Sequence, residues 1–276
     1  MARLLFWTDL HCEFWGTVPA VPEDAPDYDA LLLGGDLATR GQHLAVARQL
    51  HRQTGKPVIV VRGNHDFYGR IFDEVVEEDR KLERAMQADG DDVRLLDGTS
   101  TVIGDTRIVG ATLWTDFRLD ERREAAARLA VQKGMTDFEE IRGPDGALMT
   151  VADWLDWHER DRKGIERELA KPHDGPTVVM SHHMPLGEMI HPSRRRHPRD
   201  LSDAGYASNL HEIFRRHPID SWFCGHSHDG MKAVVQTPFG AVPVISNPRG
   251  YPFETSPFDP TLIVETGVVE PSHQPA

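Results

Sequence analysis

Short apolar runs, each closed by a polar cluster, punctuate the chain from its start. Leu4 to Trp7 reads as a first strand that opens directly into Asp9-Leu10-His11. Residues 16–27 carry Pro19, Pro22 and Pro26 and read as a loop, because proline fixes φ and has no amide donor. Asp29 to Leu33 is a second apolar run, ending in Gly34-Gly35-Asp36. Such runs suit parallel strands buried on both faces. Over 41–54, Leu44, Val46, Ala47 and Leu50 recur at helical spacing. Pro57 to Val61 is the clearest buried strand and ends in Arg62-Gly63-Asn64-His65-Asp66, with an acidic helix expected through 71–88. This alternation predicts an α/β fold, a sheet with helices outside it.

Further strands are expected at Val93–Leu96, Thr101–Ile103 and Arg107–Leu113. Residues 119–170 read as mainly helical, broken at Gly143-Pro144-Asp145-Gly146, and predict a cap or insertion around 117–172. Thr177 to Met180 returns as a strand, ending in Ser181-His182-His183. A polar, basic loop at 187–203 and a helix over 204–216 follow. The strand at 220–224 ends in Gly225-His226-Ser227-His228, and Ala233–Gln236 with Ala241–Ser246 forms a hairpin. Alternate residues of an extended backbone share a side, so His226 and His228 are expected to point together. The reading is a single domain over 1–270 with a flexible tail at 271–276, and no repeat at solenoid period.

A length of 276 residues, 39% apolar and 27% charged, accommodates one large soluble domain. The net charge of -13 argues against nucleic acid as a stable partner, since phosphate contacts need clustered Lys and Arg. It leaves a phosphate substrate open, because bound cations invert a local field. Cys12 and Cys224 are too few for a disulfide framework and read as small buried thiols, a redox pair being the alternative. An aspartate interrupts the N-terminus before any signal-peptide length is reached. No run approaches the ~18 apolar residues of a membrane span, so the expectation is a cytoplasmic protein with reduced thiols and no membrane partner.

Fifteen histidines direct the search to metal or proton chemistry. Five strand ends carry such residues: Asp9 and His11, Asp36, Asn64 and His65, His182, then His226 and His228. Sites in open α/β sheets gather outside the carboxyl ends of the strands. Singly, Asp9 reads as a cap, Asp36 as a turn residue and Asn64 as a cap for a helix near Phe67. Together, carboxylates, imidazoles and an amide oxygen suit two divalent or trivalent ions, Mn, Fe or Zn. Such a pair, about 3.5–4 Å apart, clamps an in-line attack at phosphorus. Asp36 is the natural bridge, because the glycines before it let the backbone come close.

These motifs, in this order from residue 9 to 228, resemble the calcineurin-like metallophosphoesterases. Asn247-Pro248-Arg249-Gly250-Tyr251 resembles the end of a bacterial branch of that family, whose substrate the resemblance does not supply. The resemblance implies a four-layer α/β/β/α sandwich of two mixed sheets. It implies one metal on Asp9, His11, Asp36 and His228, and another on Asp36, Asn64, His182 and His226. It further implies a metal-bridging hydroxide as nucleophile, His65 beside the scissile phosphate, and Asp66 orienting His65. Residues Leu37, Ala38 and Thr39 after Asp36 lack the tyrosine of the purple acid phosphatases.

The resulting expectation is a metal-dependent hydrolase of small-molecule phosphodiesters or phosphomonoesters. A cyclic nucleotide phosphodiesterase or nucleotide pyrophosphohydrolase is the alternative. A non-catalytic scaffold, a nuclease and a lipid-diphosphate hydrolase rank below. Only one of His182 and His183 can face the site along a strand; His182 is chosen by the resemblance and His183 is expected to pack. His43, His51, His158, His173, His211 and His217 are expected on the surface. Arg194-Arg195-Arg196-His197-Pro198-Arg199 is expected to be a solvated loop, or to draw an anionic substrate. Trp114, Phe117, Tyr206 and Asn209 are candidates for the pocket wall, with core packing the default for the three aromatics. Oligomeric state is left open.

Overall fold

The computed structural model describes residues 1–192 and 201–267, so the Arg194–Arg199 stretch and the tail at 271–276 lie outside the described residues. The first half runs β1 (Arg3–Trp7), α1 (Cys12–Trp15), β2 (Ala30–Leu33), α2 (His43–Thr54), β3 (Val58–Val60), α3 (Phe72–Ala88) and β4 (Val93–Leu95). The second begins with β5 (Thr99–Ile103), β6 (Thr106–Ala111), α4 (Glu124–Gly134), α5 (Asp137–Glu140) and α6 (Val151–Leu169). It continues through β7 (Thr177–Ser181), α7 (His211–Arg216), β8 (Ser221–Cys224), β9 (Lys232–Thr237), β10 (Gly240–Ser246) and β11 (Ile263–Glu265).

Two mixed sheets result. The five-stranded sheet has the order β11-β1-β2-β3-β4, parallel except for β11 at its edge. The six-stranded sheet has the order β5-β6-β7-β8-β10-β9, with antiparallel β5 and β9 at its edges. Alternation along the strands divides the core. Leu4 and Phe6 of β1 face Val178, Met180 and Phe223 of the other sheet. Leu5 and Trp7 turn to the outer side, where Leu44, Ala47 and Leu50 of α2 and Met86 of α3 cover them. On the other outer face, Ile165 and Leu169 of α6 and Phe214 of α7 cover Val109, Val179 and Trp222. The expected four-layer α/β/β/α sandwich is the observed fold.

The segment after β6 does more than cap the sheet. Thr150 and Asp153 form a capping box that starts α6. The far end of α6 belongs to the outer helical layer. Its near end puts Trp154 and Trp157 into an aromatic cluster with Phe67, Phe72, Trp114 and Phe117. That cluster lies beneath the loop carrying Asn64 and His65, so Trp114 and Phe117 are core residues.

Three local expectations need correction. The helix expected over 204–216 is interrupted, leaving a 3-10 turn at Ser202–Gly205 and α7. Between them the Ser208 amide donates to the Met184 carbonyl and the Leu210 amide to the Pro185 carbonyl, so partners outside the helix capture this backbone. His43 and His158 are buried rather than on the surface. His43 Nε2 lies 2.9 Å from Asp79 Oδ2, and His158 Nδ1 donates to the Trp114 carbonyl. Each imidazole has an internal partner at one nitrogen, which makes burial tolerable, although His43 Nδ1 makes no hydrogen bond among the described residues. Among the described residues, no helix is long and apolar enough to cross a membrane.

Candidate metal centre

All seven candidate ligands lie on loops leaving the carboxyl ends of parallel strands, three strands from one sheet and two from the other. The backbone there is contorted. Of eight non-glycine residues with positive φ among the described residues, five are Asp9, His11, Asp36, His226 and His228. Such conformations cost free energy and persist only where the surroundings hold them, commonly at functional sites. They also change how His226 and His228 are aimed. At φ 73° and 57° the pair is not extended, so each ring joins a different cluster. Close approach needs bare glycine, between the two sheets at Gly225 and between the loops after β2 and β3 at Gly63. A Cβ on Gly225 would lie 2.1 Å from Thr8 Oγ1, and one on Gly63 would lie 2.1 Å from Asp36 Oδ1.

The side chains form two groups that share Asp36. Asp9, His11, Asp36 and His228 converge, as do Asp36, His182 and His226, with ligand atoms within 4.8 Å of one another in each group. Asp36 Oδ2 stands between them, 3.7 Å from His11 Nε2 and 3.5 Å from His182 Nε2. Asn64 joins the second group through Oδ1, 2.9 Å from His182 Nε2. His183 packs behind them: Nδ1 lies 3.3 Å from the Thr112 carbonyl and the ring meets Trp114. Tyr206 faces the His226 ring at 4.7 Å, whereas Asn209 donates to the Leu119 carbonyl.

The donor set fits a cation. His182 Nδ1 donates to the Gly34 carbonyl at 3.0 Å. Burial foremost pushes the pKa of His182 down to about 4, so the ring is neutral and Nε2 keeps its lone pair. That lone pair faces Asn64 Oδ1 and Asp36 Oδ2, both acceptors. The Asn64 amide is oriented by Nδ2 donating to Tyr68 Oη at 3.1 Å. Three acceptor atoms thus meet in one buried place, an arrangement that is repulsive unless Asp36 takes up a proton and that a positive ion relieves. The first group is alike. His228 Nδ1 donates to Glu254 Oε2 at 2.7 Å, leaving Nε2 toward Asp9 and, at 2.9 Å, toward His11 Nε2.

Charge supports the same conclusion. Asp9, Asp36 and Asp66 are buried, and among the described residues none has a Lys or Arg ion-pair partner. Burial, then the charges of Asp9 and Asp66, raise the Asp36 pKa well above the usual carboxylate range. For Asp9 burial works upward, but the hydrogen bond and charge of His228 prevail and hold it low. Burial takes the pKa of His11 down to about 4 against the opposing Glu13. Both cysteines are buried free thiols, with Cys12 raised to about 12 chiefly by burial.

The calcineurin-like phosphoesterase family model matches residues 2–230, which include all seven of these side chains. The chain belongs to the calcineurin-like phosphoesterase family. It is a metal-dependent phosphoesterase. A crystal structure of a phosphopantetheinyl hydrolase from Mycobacterium tuberculosis is similar in fold, with TM-score 0.70 and 18% identity over 99% of this chain and 98% of that one. No curated protein sequence matches the chain.

The phosphoesterase's His65 sits at the edge of the site, with 12% of its side chain exposed. Asp66 has a different place from the one expected. Its carboxylate accepts from the backbone amides of Gly63, Asp36, Leu37 and Ala38, and so ties the Asn64 loop to the Asp36 loop. The His65 ring is met instead by Glu13, Tyr68 and Tyr251. No spacing in the sequence marks Glu13, Tyr68, Glu254 or Asp137, whose carboxylate accepts from Tyr68 Oη at 3.2 Å. Only Tyr251 carried a signal, as the last residue of the Asn247–Tyr251 stretch.

Proposed function

We propose that this phosphoesterase holds two cations and hydrolyses small-molecule phosphodiesters or phosphomonoesters. Asp9, His11, Asp36 and His228 would hold one ion, and Asp36, Asn64, His182 and His226 the other. The observation that carries the reading is the position of Asp36 Oδ2, within 3.7 Å of His11 Nε2 and 3.5 Å of His182 Nε2. Mn, Fe and Zn all suit imidazole with carboxylate ligands. Bound, such ions supply Lewis acidity toward phosphoryl oxygens and acidify water.

The chain's own residues supply the rest. His65 lies at the opening of the site, next in sequence to Asn64, and serves as proton donor to the leaving oxygen. An alkoxide needs that proton far more than a nitrophenolate does. The backbone strain at Asp9, His11, Asp36, His226 and His228 fixes the ligands before substrate arrives.

The similar solved structure is a phosphopantetheinyl hydrolase, which places a phosphopantetheinyl ester among the first substrates to assay here. Cyclic nucleotides and nucleotide diphosphate compounds belong beside it. The test is Mn-loaded protein profiled against mono-, di- and cyclic phosphoesters, with His65→Ala alongside. The variant should keep its metal and lose about 100-fold or more in turnover of an alkyl ester. Retained turnover removes His65 from the mechanism. A metal-loaded chain inert toward every ester supports the scaffold reading instead.

A further inference from the structure

The His65 ring is faced at both nitrogens by residues outside the candidate ligand set: Glu13 of α1 and Tyr251, the last residue of the Asn247–Tyr251 stretch. Glu13 Oε1 lies 3.4 Å from His65 Nδ1, and the same oxygen lies 3.3 Å from His11 Nδ1. His65 Nδ1 is buried and makes no hydrogen bond among the described residues, so the Glu13 carboxylate, at ion-pair distance, is the charged group that faces it. On the opposite edge, Tyr251 Oη lies 3.2 Å from His65 Nε2. Tyr68 stacks on the ring face at 4.1 Å and 24°. The ring therefore has one face covered, Nε2 bonded to Tyr251 and Nδ1 facing a carboxylate, which leaves little freedom to turn.

Tyr251 is itself fixed. Its ring packs against His11 at 4.4 Å and His228 at 4.7 Å. Its amide donates to Glu254 Oε2, the carboxylate that also takes His228 Nδ1. The preceding residues are tied to α1, since Trp15 Nε1 donates to the Gly250 carbonyl and Arg249 stands 4.0 Å over the Trp15 ring. α1 also carries Glu13. One short helix and one late loop thus form a single brace around His65.

We propose that Glu13 and Tyr251 are positioning residues for His65. In the protonated ring Glu13 attracts the Nδ1–H, so the proton passed to the leaving oxygen is the one on Nε2 and the ring is left neutral with its proton on Nδ1; Tyr251 Oη, 3.2 Å from Nε2, fixes the plane of the ring for that transfer. Through His11 Nδ1, Glu13 sets the same tautomer in a candidate ligand. This inference rests on the role proposed above for His65.

The test compares an alkyl phosphodiester with a nitrophenyl phosphodiester in Mn-loaded protein, together with bound Mn per chain. Tyr251→Phe removes one oxygen and preserves the ring packing. It should lower kcat on the alkyl diester about 10-fold, with KM and Mn content unchanged, and lower the nitrophenyl rate much less. In a His65→Ala chain the same substitution should cost nothing further on the alkyl diester. Glu13→Gln keeps an acceptor oxygen and should retain most of the alkyl-diester rate that Glu13→Ala loses. Equal losses on both substrates, or an equal loss with and without His65, overturn the proposal. If His65→Ala alone costs nothing, the role of His65 falls first and this inference with it.

Discussion

The Asp66 carboxylate holds the Leu37 backbone amide at 3.1 Å through Oδ1, joining two loops 29 residues apart in sequence. Its Oδ2 takes the Gly63 amide at 2.7 Å and the Asp36 amide at 3.2 Å. The group that fixes where Asp36 stands is therefore Asp66. Asp66→Ala leaves several buried amides unpaired, each costing about 1–3 kcal/mol. The expected outcome is a marked fall in unfolding free energy and weaker Mn binding. Denaturant melts and equilibrium dialysis check it. A variant of normal stability and metal affinity that lost only turnover would return Asp66 to the role of orienting His65.

Gly225→Ala should empty the site of metal. The added Cβ would lie 2.5 Å from Asp9 Oδ2 as well as 2.1 Å from Thr8 Oγ1, in a place filled by two buried side chains, one of them a candidate ligand. Asp9 accepts from the His226 amide at 3.0 Å, so displacing one moves the other. Bound metal per chain and thermal melting measure the effect. Normal metal content would show that the contact relaxes.

Tyr68→Phe tests whether the helical segment after β6 supports the site. Tyr68 Oη accepts from Asn64 Nδ2 at 3.1 Å and donates to buried Asp137 Oδ2 of α5 at 3.2 Å. Without the hydroxyl, Asn64 Nδ2 loses the acceptor that orients its amide. A loss of about 10- to 100-fold in metal affinity is expected. Isothermal titration with Mn reads it, and unchanged affinity would make the Asn64–Tyr68 bond incidental.

Asp161 gives a pH dependence away from the metal. It is buried, accepts from the Leu113 amide and pairs with Arg160 at 2.9 Å. Burial foremost raises its pKa to about 6, with Asp97 adding and Arg160 opposing. A folded pKa above the unfolded value means that the folded state binds more protons in between. This contribution to stability is full below pH ~4 and is lost as pH rises through about 6. Asp161→Asn should flatten that part of the stability–pH curve. A fall of the same size in the variant would assign it to another group.

Much of this was legible in the sequence, for a physical reason. Strands buried on both faces are continuous apolar runs, so β1, β2 and β3 announce themselves, and the polar residues at their ends stand out. β11 and α1 are too short for any period to show, at three and four residues. The break before α7 comes from pairing with residues 184–185, which no local pattern encodes. His43 looked exposed because its partner Asp79 is 36 residues away. Glu13, Tyr68 and Asp137 act through contacts made only on folding, and an isolated Glu or Tyr carries no spacing signal. His226 and His228 pointed to metal for a partly wrong reason, since an extended backbone would have sent both rings the same way.

The most direct test of the account is metal counting on purified protein reconstituted with Mn, comparing the unaltered chain, Asp36→Ala and His182→Ala. Two ions per chain are predicted for the unaltered protein. His182→Ala should keep one, and Asp36→Ala, which removes the shared oxygen, should hold fewer than one. An unaltered chain binding at most one ion, or Asp36→Ala still binding two, would contradict it.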